Sequence, residues 1–555
     1  MSHYGVLKLD GIWDFAFCED DSKVPGIFPA KAAVPGCFDT TPELWSRRGV
    51  GYYRKPLELS RDRRYRLIIE GVAHNAKVYL DGNLLREHHG AFTPIEVDLP
   101  PGLDGMHELV ISADNRFAGL DRPLHMTHFD WYSYGGIIRP VSLISWKDAL
   151  ITNIFADTRQ WKSGDVVLNL DYLSSDEVKE LPLKLLLDGD EIHGSQVPSQ
   201  AARCQVTFTI PKPKPWSPEE PNLYRLGIEL GDDFREVNLG LREIRTDGSQ
   251  ILLNDKPISI RGVNRHESHV EFGFALPHQS HINDIQLMKK LNCNFVRISH
   301  YPPSKAFLDL CDQLGMLVWV EATSWGYDEK ATADPRMLQA QRNCITEMIG
   351  WNSHHPCIAC WGFFNECASE GPAARPIYEE LVGLIRRLDP TRPVTFASNR
   401  IYCEEQNSPA TIQDIMFDLV DWISINIYPG WYSGELDNCA EKLAGLAKEF
   451  KSRKLDNKPV IISEIGAGGI VGFEHYTPIR WSLEYQCELL ENTMEYIRTE
   501  PLFNGVCVWQ FCDIRTSEYR WADRPRNYNN KGILDEYRRP KPAFRKVQEI
   551  FRREW

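Results

Sequence analysis

From about residue 246 the chain alternates short apolar runs with amphipathic stretches, and this alternation is the feature that most constrains its fold. Amphipathic stretches of helical period lie near residues 303–314, 335–351 and 374–388. The apolar runs of strand length lie at residues 258–262, 294–299, 316–320, 357–361, 393–397, 422–426, 459–463 and 505–509. Eight such β/α units over roughly 300 residues predict a (β/α)8 barrel. The rival fold is an open doubly wound sheet, which favours a glycine-rich phosphate loop after its first strand, and residues 261–266 (Arg-Gly-Val-Asn-Arg-His) contain no such loop.

The residues before the barrel have the pattern of β-structure. A chain of 555 residues is too long for a single core, because cores stop growing near roughly 250–300 residues. Residues 1–147 contain short strand-like runs separated by turn signals, such as the Asp-Gly hairpin turn at 81–82. Residues 148–245 alternate in the same way over a length that suits one immunoglobulin-like sandwich. We therefore predict two β-sandwiches, over 1–147 and 148–245, followed by a barrel over 246–555.

Composition excludes several classes of function. The formal net charge of −14 argues against a nucleic-acid partner, whose phosphates would be repelled. The sequence has no apolar run of membrane-spanning length, and its first residues lack a secretory pattern. The 14 cysteines have no paired spacing, so we expect reduced thiols and a cytoplasmic protein. Cys357 and Cys360 form a CxxC within an apolar run, which favours two core thiols over a redox or metal pair.

Two glutamates follow predicted barrel strands at positions that can face each other. Barrel enzymes carry their chemistry at the carboxyl ends of the strands, where Glu366 follows the fourth strand and Glu464 the seventh. Glycoside hydrolysis with retention uses two carboxyl groups about 5–5.5 Å apart, one attacking the anomeric carbon and one acting as acid and then base. The alternative for each glutamate is a structural ion pair at a strand end.

The chain resembles glycoside hydrolase family 2 over essentially its whole length. The matching stretches, in chain order, are residues 51–54, 113–116, 130–139, 216–224, 240–243, 261–267, 298–302, 365–366, 426–428 and 462–466. The resemblance implies a jelly-roll-like sugar-binding sandwich, an immunoglobulin-like sandwich and a (β/α)8 TIM barrel, in agreement with the three predicted segments.

The resemblance also implies roles for individual residues. It makes Glu464 the nucleophile, Glu366 the acid/base and Asn365 the residue that holds the sugar 2-hydroxyl. The other candidate substrate-binding residues are Asp130, His300, Tyr428, Tyr432, Trp509, Asn529 and Lys531. Asp130 would reach in from the first sandwich to the sugar's distal hydroxyls.

The resemblance is strongest to the β-glucuronidases of the family, which act on sugars with a C6 carboxylate. Those enzymes carry an Asn-x-Lys motif, which stands here as Asn529 and Lys531 and is suited to bind that carboxylate. The family's β-galactosidases carry a Glu-Thr-His-Gly stretch that helps bind magnesium, and the corresponding residues 321–326 (Glu-Ala-Thr-Ser-Trp-Gly) lack the histidine. We therefore expect no metal and no cofactor. The residues 266–269 (His-Glu-Ser-His) belong to the first strand end rather than to a metal cluster.

Two segments depart from the β-glucuronidase pattern. Residues 516–529 are longer and rich in arginine, with Arg520, Arg524 and Arg526, and the segment 327–336 is short. Because both lie where the sugar 4-hydroxyl is read, a β-galacturonidase or a bifunctional hexuronidase is the main alternative to a β-glucuronidase. A neutral-sugar β-galactosidase is a weaker one, and a carbohydrate-binding protein without catalysis is the alternative from another class. We expect the protein to form a homo-oligomer and to act on a glycoside or an oligosaccharide end bearing a uronic acid.

Overall fold

The computed structural model describes residues 5–117, 119–126, 129–176, 178–402, 410–517 and 524–555. The first β-region contains two main antiparallel sheets, which pack their apolar faces against one core. The four-stranded sheet has the order Val6–Lys8, Val141–Trp146, Arg64–Ile69, Ile95–Asp98. The six-stranded sheet has the order Ala30–Val34, Gly11–Cys18, Val50–Leu59, Gly105–Asp114, Asn75–Leu80, Asn83–His89. A short pair joins Val72–Ala73 to Gly136–Ile137, and Gly136–Ile137 follows the connection that carries Asp130.

A second sandwich comes next, with its own core. Its three-stranded sheet has the order Ala149–Gln160, Asp165–Ser174, Arg203–Thr209. Its four-stranded sheet has the order Asp190–Pro198, Glu180–Leu187, Tyr224–Leu230, Asp233–Leu239. Alternate residues of these strands are buried, as expected for sheets that pack on one face. A small sheet of Ile244–Asp247, Gln250–Leu253 and Lys256–Pro257 leads into the barrel.

Eight parallel strands then form a closed barrel, which confirms the predicted fold class. They are β1 (Ile260–Arg265), β2 (Phe295–Ile298), β3 (Leu317–Glu321), β4 (Ile358–Asn365), β5 (Val394–Ser398), β6 (Ile423–Asn426), β7 (Val460–Ile465) and β8 (Phe503–Val508). The helices around them are His278–Lys290, Lys305–Leu314, Glu329–Thr332, Pro335–Asn352, Arg375–Leu388, Cys439–Ser452, Leu483–Thr499 and Pro542–Phe551. Every residue of β2, β3, β4 and β7 is buried, as strands covered on both faces require.

The first sandwich packs directly on the mouth of the barrel. Arg139 of the sandwich donates to Oε1 of Glu267, at the end of β1, at 3.2 Å, and both side chains are buried. The backbone N–H of Tyr132 donates to the carbonyl of Arg515 at 2.7 Å. These contacts place the connection at 129–135 over the carboxyl ends of the strands. Across the described ranges, no helix has both the length and the apolar character needed to cross a lipid bilayer.

Candidate active site

A cavity of about 600 Å³ opens at the carboxyl ends of the barrel strands. Both predicted carboxyl groups, Glu366 and Glu464, line it. Six of the other predicted residues also line it: Asp130, His300, Tyr428, Tyr432, Trp509 and Lys531. The remaining two, Asn365 and Asn529, are buried behind the lining residues and form hydrogen bonds with some of them. The tertiary structure therefore brings the ten predicted positions together from strands and loops that are far apart in the sequence.

Glu464 is held at the end of β7 by two donors. Nη1 of Arg297 donates to Oε1 at 2.7 Å, and the hydroxyl of Tyr428 donates to Oε2 at 2.6 Å. Burial raises the pKa of Glu464, and the Arg297 guanidinium and the Tyr428 hydroxyl oppose that rise. These two donors favour an ionised carboxylate at this position. An ionised, fixed carboxylate suits a nucleophile.

Glu366 has a different environment, directly after β4. Burial, reinforced by the charge of Glu464, raises the pKa of Glu366 to about 8. Its Oε1 accepts a hydrogen bond from Nδ2 of Asn426 at 2.9 Å. Its backbone has a φ of 54°, and its N–H donates to the carbonyl of Ala397 at 2.8 Å. Left-handed backbone at a residue other than glycine is costly and is found at functional sites. A carboxyl group that stays protonated near neutral pH suits a general acid.

Asn365 offers one unused donor beside the two carboxyl groups. Its Oδ1 accepts from Nη2 of Arg297 at 2.8 Å and from Nδ2 of Asn426 at 3.1 Å. Its own Nδ2 is buried and has no protein partner. Buried polar atoms are normally hydrogen-bonded, so an orphaned amide donor at this place is suited to a ligand hydroxyl.

Arg297 ties these groups together, and the prediction from sequence missed it. It lies in β2, is fully buried, and also donates from Nε and Nη2 to the two oxygens of Glu321, each at 3.0 Å. A guanidinium inside an apolar barrel strand is stable only with anionic partners. The sequence did contain a sign of this role, because Arg297 is a lone arginine within the apolar run 294–299. Such an arginine needs anionic partners, and two glutamates, Glu321 and Glu464, stand at the ends of other barrel strands.

His300 and Trp509 form one wall of the cavity. Their rings stack with centroids 5.3 Å apart and an interplanar angle of 17°. Nδ1 of His300 is 2.8 Å from Oε1 of Glu321. Burial, reinforced by Arg297, keeps the pKa of His300 well below its ordinary value, so the ring is neutral. The two rings therefore give the cavity a rigid wall without charge.

Lys531 is the buried cation at another part of the cavity. Its Nζ donates to the hydroxyl of Tyr432 at 2.8 Å and lies 5.3 Å from the ring centroid of Trp431. Burial, and then the charge of Arg524, lower the pKa of Lys531 to about 7. Tyr432 is 63% exposed although its hydroxyl is engaged, and it lines the cavity. A buried ammonium whose nearest partner is a neutral hydroxyl is suited to an incoming anion.

Asn529 supports this region from behind. Its Nδ2 donates to Oδ2 of Asp130 at 2.9 Å, and its Oδ1 accepts from the backbone N–H of Lys531 at 3.3 Å. The sequence-based expectation was that Asn529 binds the sugar carboxylate beside Lys531. In the structure Asn529 therefore supports both Asp130 and Lys531, and its binding of the sugar carboxylate stays a prediction.

Within the described part of the chain, the cavity holds no cluster of three metal-ligating side chains. Glu321, which the sequence places where related enzymes bind magnesium, is held by Arg297 and His300. Among the described residues, one buried group, Asp312, His355 and Cys357, brings ligand atoms within 4.8 Å of one another. Asp312 already accepts from His355 and from the N–H of Cys357 at 2.6 and 2.9 Å, as in an ordinary structural network. None of these three residues lines the cavity.

Known proteins resemble this chain over its full length. The family model described as the TIM barrel domain of glycosyl hydrolases family 2 matches residues 244–553, and a second model of the same family matches residues 149–242. The chain is 28% identical to the β-glucuronidase of Streptococcus agalactiae, over 99% of this chain and 96% of that protein.

Solved structures agree with these matches. A β-galacturonidase of Eisenbergiella tayi, bound to galacturonate, superposes with a TM-score of 0.90 at 34% identity, covering 99% of this chain and 98% of that one. The β-glucuronidase of Faecalibacterium prausnitzii superposes with a TM-score of 0.87 at 28% identity, covering 100% and 98%. The family models together with these relatives place the chain: it belongs to glycosyl hydrolases family 2 and is a glycoside hydrolase.

Proposed function

We propose that the protein is a retaining exo-β-hexuronidase, which removes a terminal β-linked uronic acid through a covalent glycosyl-enzyme intermediate. The observation that carries the proposal is a single cavity lined by a paired set of carboxyl groups, Glu366 and Glu464, and by the buried ammonium of Lys531. The carboxyl pair supplies glycosidase chemistry, and the ammonium supplies a partner for a C6 carboxylate. The β-glucuronidases and the β-galacturonidase that resemble this chain act on sugars of that class.

In the proposed mechanism the carboxylate of Glu464 attacks the anomeric carbon while Glu366 gives its proton to the departing glycosidic oxygen. Glu366, now ionised, then takes a proton from water, which attacks the same carbon and releases the sugar from Glu464. The separate environments support this division of roles, because Glu464 has two donors that favour its anion and Glu366 has one. The free Nδ2 of Asn365 would bind the sugar 2-hydroxyl, a contact that strengthens in the transition state.

We propose β-D-glucuronides as substrates, as the Asn-x-Lys motif indicates, with β-D-galacturonides as the second candidate. Two observations favour the second. The galacturonidase match has 34% identity, against 28% for the glucuronidases reported above. Arg524, from the arginine-rich departure of the sequence, reaches the cavity beside Asp130. The two sugars differ at C4 alone, so a direct comparison of rates separates them.

The test is a set of four 4-nitrophenyl β-glycosides: glucuronide, galacturonide, glucoside and galactoside. We expect kcat/KM for at least one uronide to exceed that of its neutral counterpart by on the order of a hundredfold or more. Faster turnover of a neutral glycoside than of either uronide would contradict the proposal. Hydrolysis of none, with sugar binding intact, would favour a binding protein without catalysis.

A mechanism-based label tests the covalent step. A 2-deoxy-2-fluoro uronosyl fluoride should inactivate the enzyme and add its mass to the peptide that contains Glu464. The Glu464→Gln variant should remain unlabelled under the same conditions. Label on any other carboxylate would overturn the assigned roles.

A further inference from the structure

Arg524 forms an ion pair with Asp130 inside the cavity. Nη2 of Arg524 lies 2.7 Å from Oδ1 of Asp130, and the side chains are 11% and 12% exposed. Both residues line the cavity that also holds Lys531 and Tyr432. The pair joins two distant parts of the chain, because Asp130 comes from the connection in the first sandwich and Arg524 from the segment after β8.

Asp130 by itself opposes the binding of an anion. A buried carboxylate repels a second carboxylate far more strongly than an exposed one does. Asn529 donates to Oδ2 of Asp130 at 2.9 Å, but an amide brings no charge. The charge of Asp130 therefore has to be balanced by a cation if a uronate is to bind beside Lys531.

The negative charge of Asp130 shifts the pKa values of two side chains that line the cavity, Tyr432 and Lys531, and the positive charge of Arg524 shifts them in the opposite direction. Apart from burial, Asp130 raises the pKa of Tyr432, and Arg524 lowers it. After burial, Arg524 is the main cause that lowers the pKa of Lys531, and Asp130 raises it. The two charges thus act in opposite directions on both side chains that face the carboxylate end of the proposed subsite. Glu366 and Glu464 also act on Lys531, and both raise its pKa.

We propose that Arg524 determines selectivity for uronides indirectly, as the counter-ion that cancels the charge of Asp130, and not as a ligand of the sugar carboxylate. This inference rests on the proposed hexuronidase function. With Arg524 in place, Asp130 can accept hydrogen bonds from sugar hydroxyls while Lys531 attracts the C6 carboxylate. Without Arg524, Asp130 carries an uncompensated negative charge in the cavity and repels an anionic substrate. Neutral glycosides have no such penalty.

The experiment measures uronide selectivity, defined as kcat/KM for a uronide divided by kcat/KM for the neutral glycoside with the same C4 configuration. Because both substrates are measured on one preparation, the ratio does not depend on the fraction of folded enzyme. We expect Arg524→Gln to lower this ratio on the order of tenfold to a hundredfold. Arg524→Lys keeps the positive charge and should stay within about threefold of the wild type.

A double-mutant cycle separates a counter-ion from a direct ligand. In the Asp130→Asn background there is no charge to cancel, so adding Arg524→Gln should change the selectivity by less than about threefold. An undiminished loss in that background would show that Arg524 acts on the sugar carboxylate itself and would overturn the proposal, as would an unchanged ratio in the single variant. A wild-type enzyme without uronide selectivity would instead overturn the proposed function.

Discussion

Nη1 of Arg297 donates to Oε1 of Glu464 at 2.7 Å, while the same guanidinium also holds Glu321 and Asn365. All four side chains are buried. A single cation therefore orients the proposed nucleophile, the residue proposed to hold the 2-hydroxyl, and a supporting carboxylate. Such an arrangement is stable only if it stays complete, because removing the cation leaves buried carboxylates without a partner.

Arg297→Gln should reduce kcat on the order of a hundredfold to a thousandfold, because Glu464 loses the donor that favours its anion. The pKa of Glu464 should rise, which moves the acidic limb of the kcat/KM profile to higher pH. The surface variant Arg387→Gln, on the helix Arg375–Leu388, is the matched control. An Arg297→Gln enzyme with wild-type kcat and an unmoved acidic limb would contradict this account.

The basic limb of activity should depend on the charge of the substrate. Glu366 must be protonated to act as acid, so activity should fall as pH rises through its pKa of about 8 for every glycoside. Lys531 must be protonated to attract a carboxylate, so kcat/KM for uronides should begin to fall earlier, through about 7. Profiles of kcat/KM for a uronide and for its neutral counterpart check this. Coincident basic limbs would argue against a role for the Lys531 charge.

Lys531→Ala should reduce kcat/KM for uronides on the order of a hundredfold, since a buried charge-assisted contact is lost. The neutral glycoside should lose far less, because it makes no such contact. Lys448→Ala, on the exposed face of the helix Cys439–Ser452, serves as the control lysine. Equal losses on both substrates would mean that Lys531 supports the fold of the cavity rather than binding a carboxylate.

Gly505→Ala tests the closure of the barrel. Gly505 of β8 pairs with Ile260 of β1 and has a φ of 144°, and an added Cβ would lie 2.2 Å from the carbonyl oxygen of Ile260. We expect the free energy of unfolding, measured by urea titration, to fall by about 2 kcal/mol or more. Gly350→Ala is the control, because Gly350 lies in the helix Pro335–Asn352 with nothing within 4 Å of its added Cβ. That variant should be neutral or slightly more stable.

Chelators should leave activity unchanged. Glu321 accepts hydrogen bonds on both oxygens from Arg297 and is also 2.8 Å from Nδ1 of His300, so its carboxylate is already occupied. Treatment with EDTA, followed by assay with and without added Mg²⁺, checks this expectation. A loss of activity that Mg²⁺ restores would reveal a metal requirement and would contradict it.

The sequence was sufficient to predict the architecture, and the reason is periodicity. The alternation of apolar runs and amphipathic stretches is local, and it predicted eight barrel strands whose bounds agree with the structure within a few residues. The exact limits of the three domains, at 147 and 245, and the oligomeric state stay predictions. The roles of Glu366 and Glu464 came from strand ends and family resemblance, and the structure brings both to one cavity.

The sequence by itself determined which side chains stand at strand ends, because that depends on neighbours along the chain. Only the tertiary structure decided which of them meet. Arg297 acquired its importance from contacts with residues 24 and 167 positions away, Asn529 turned its amide to Asp130, and Arg524 paired with Asp130 across two domains. The physical reason is that charge pairing in a buried site depends on the distance between the groups in space and on the exclusion of water. The local sequence pattern determines neither of these quantities.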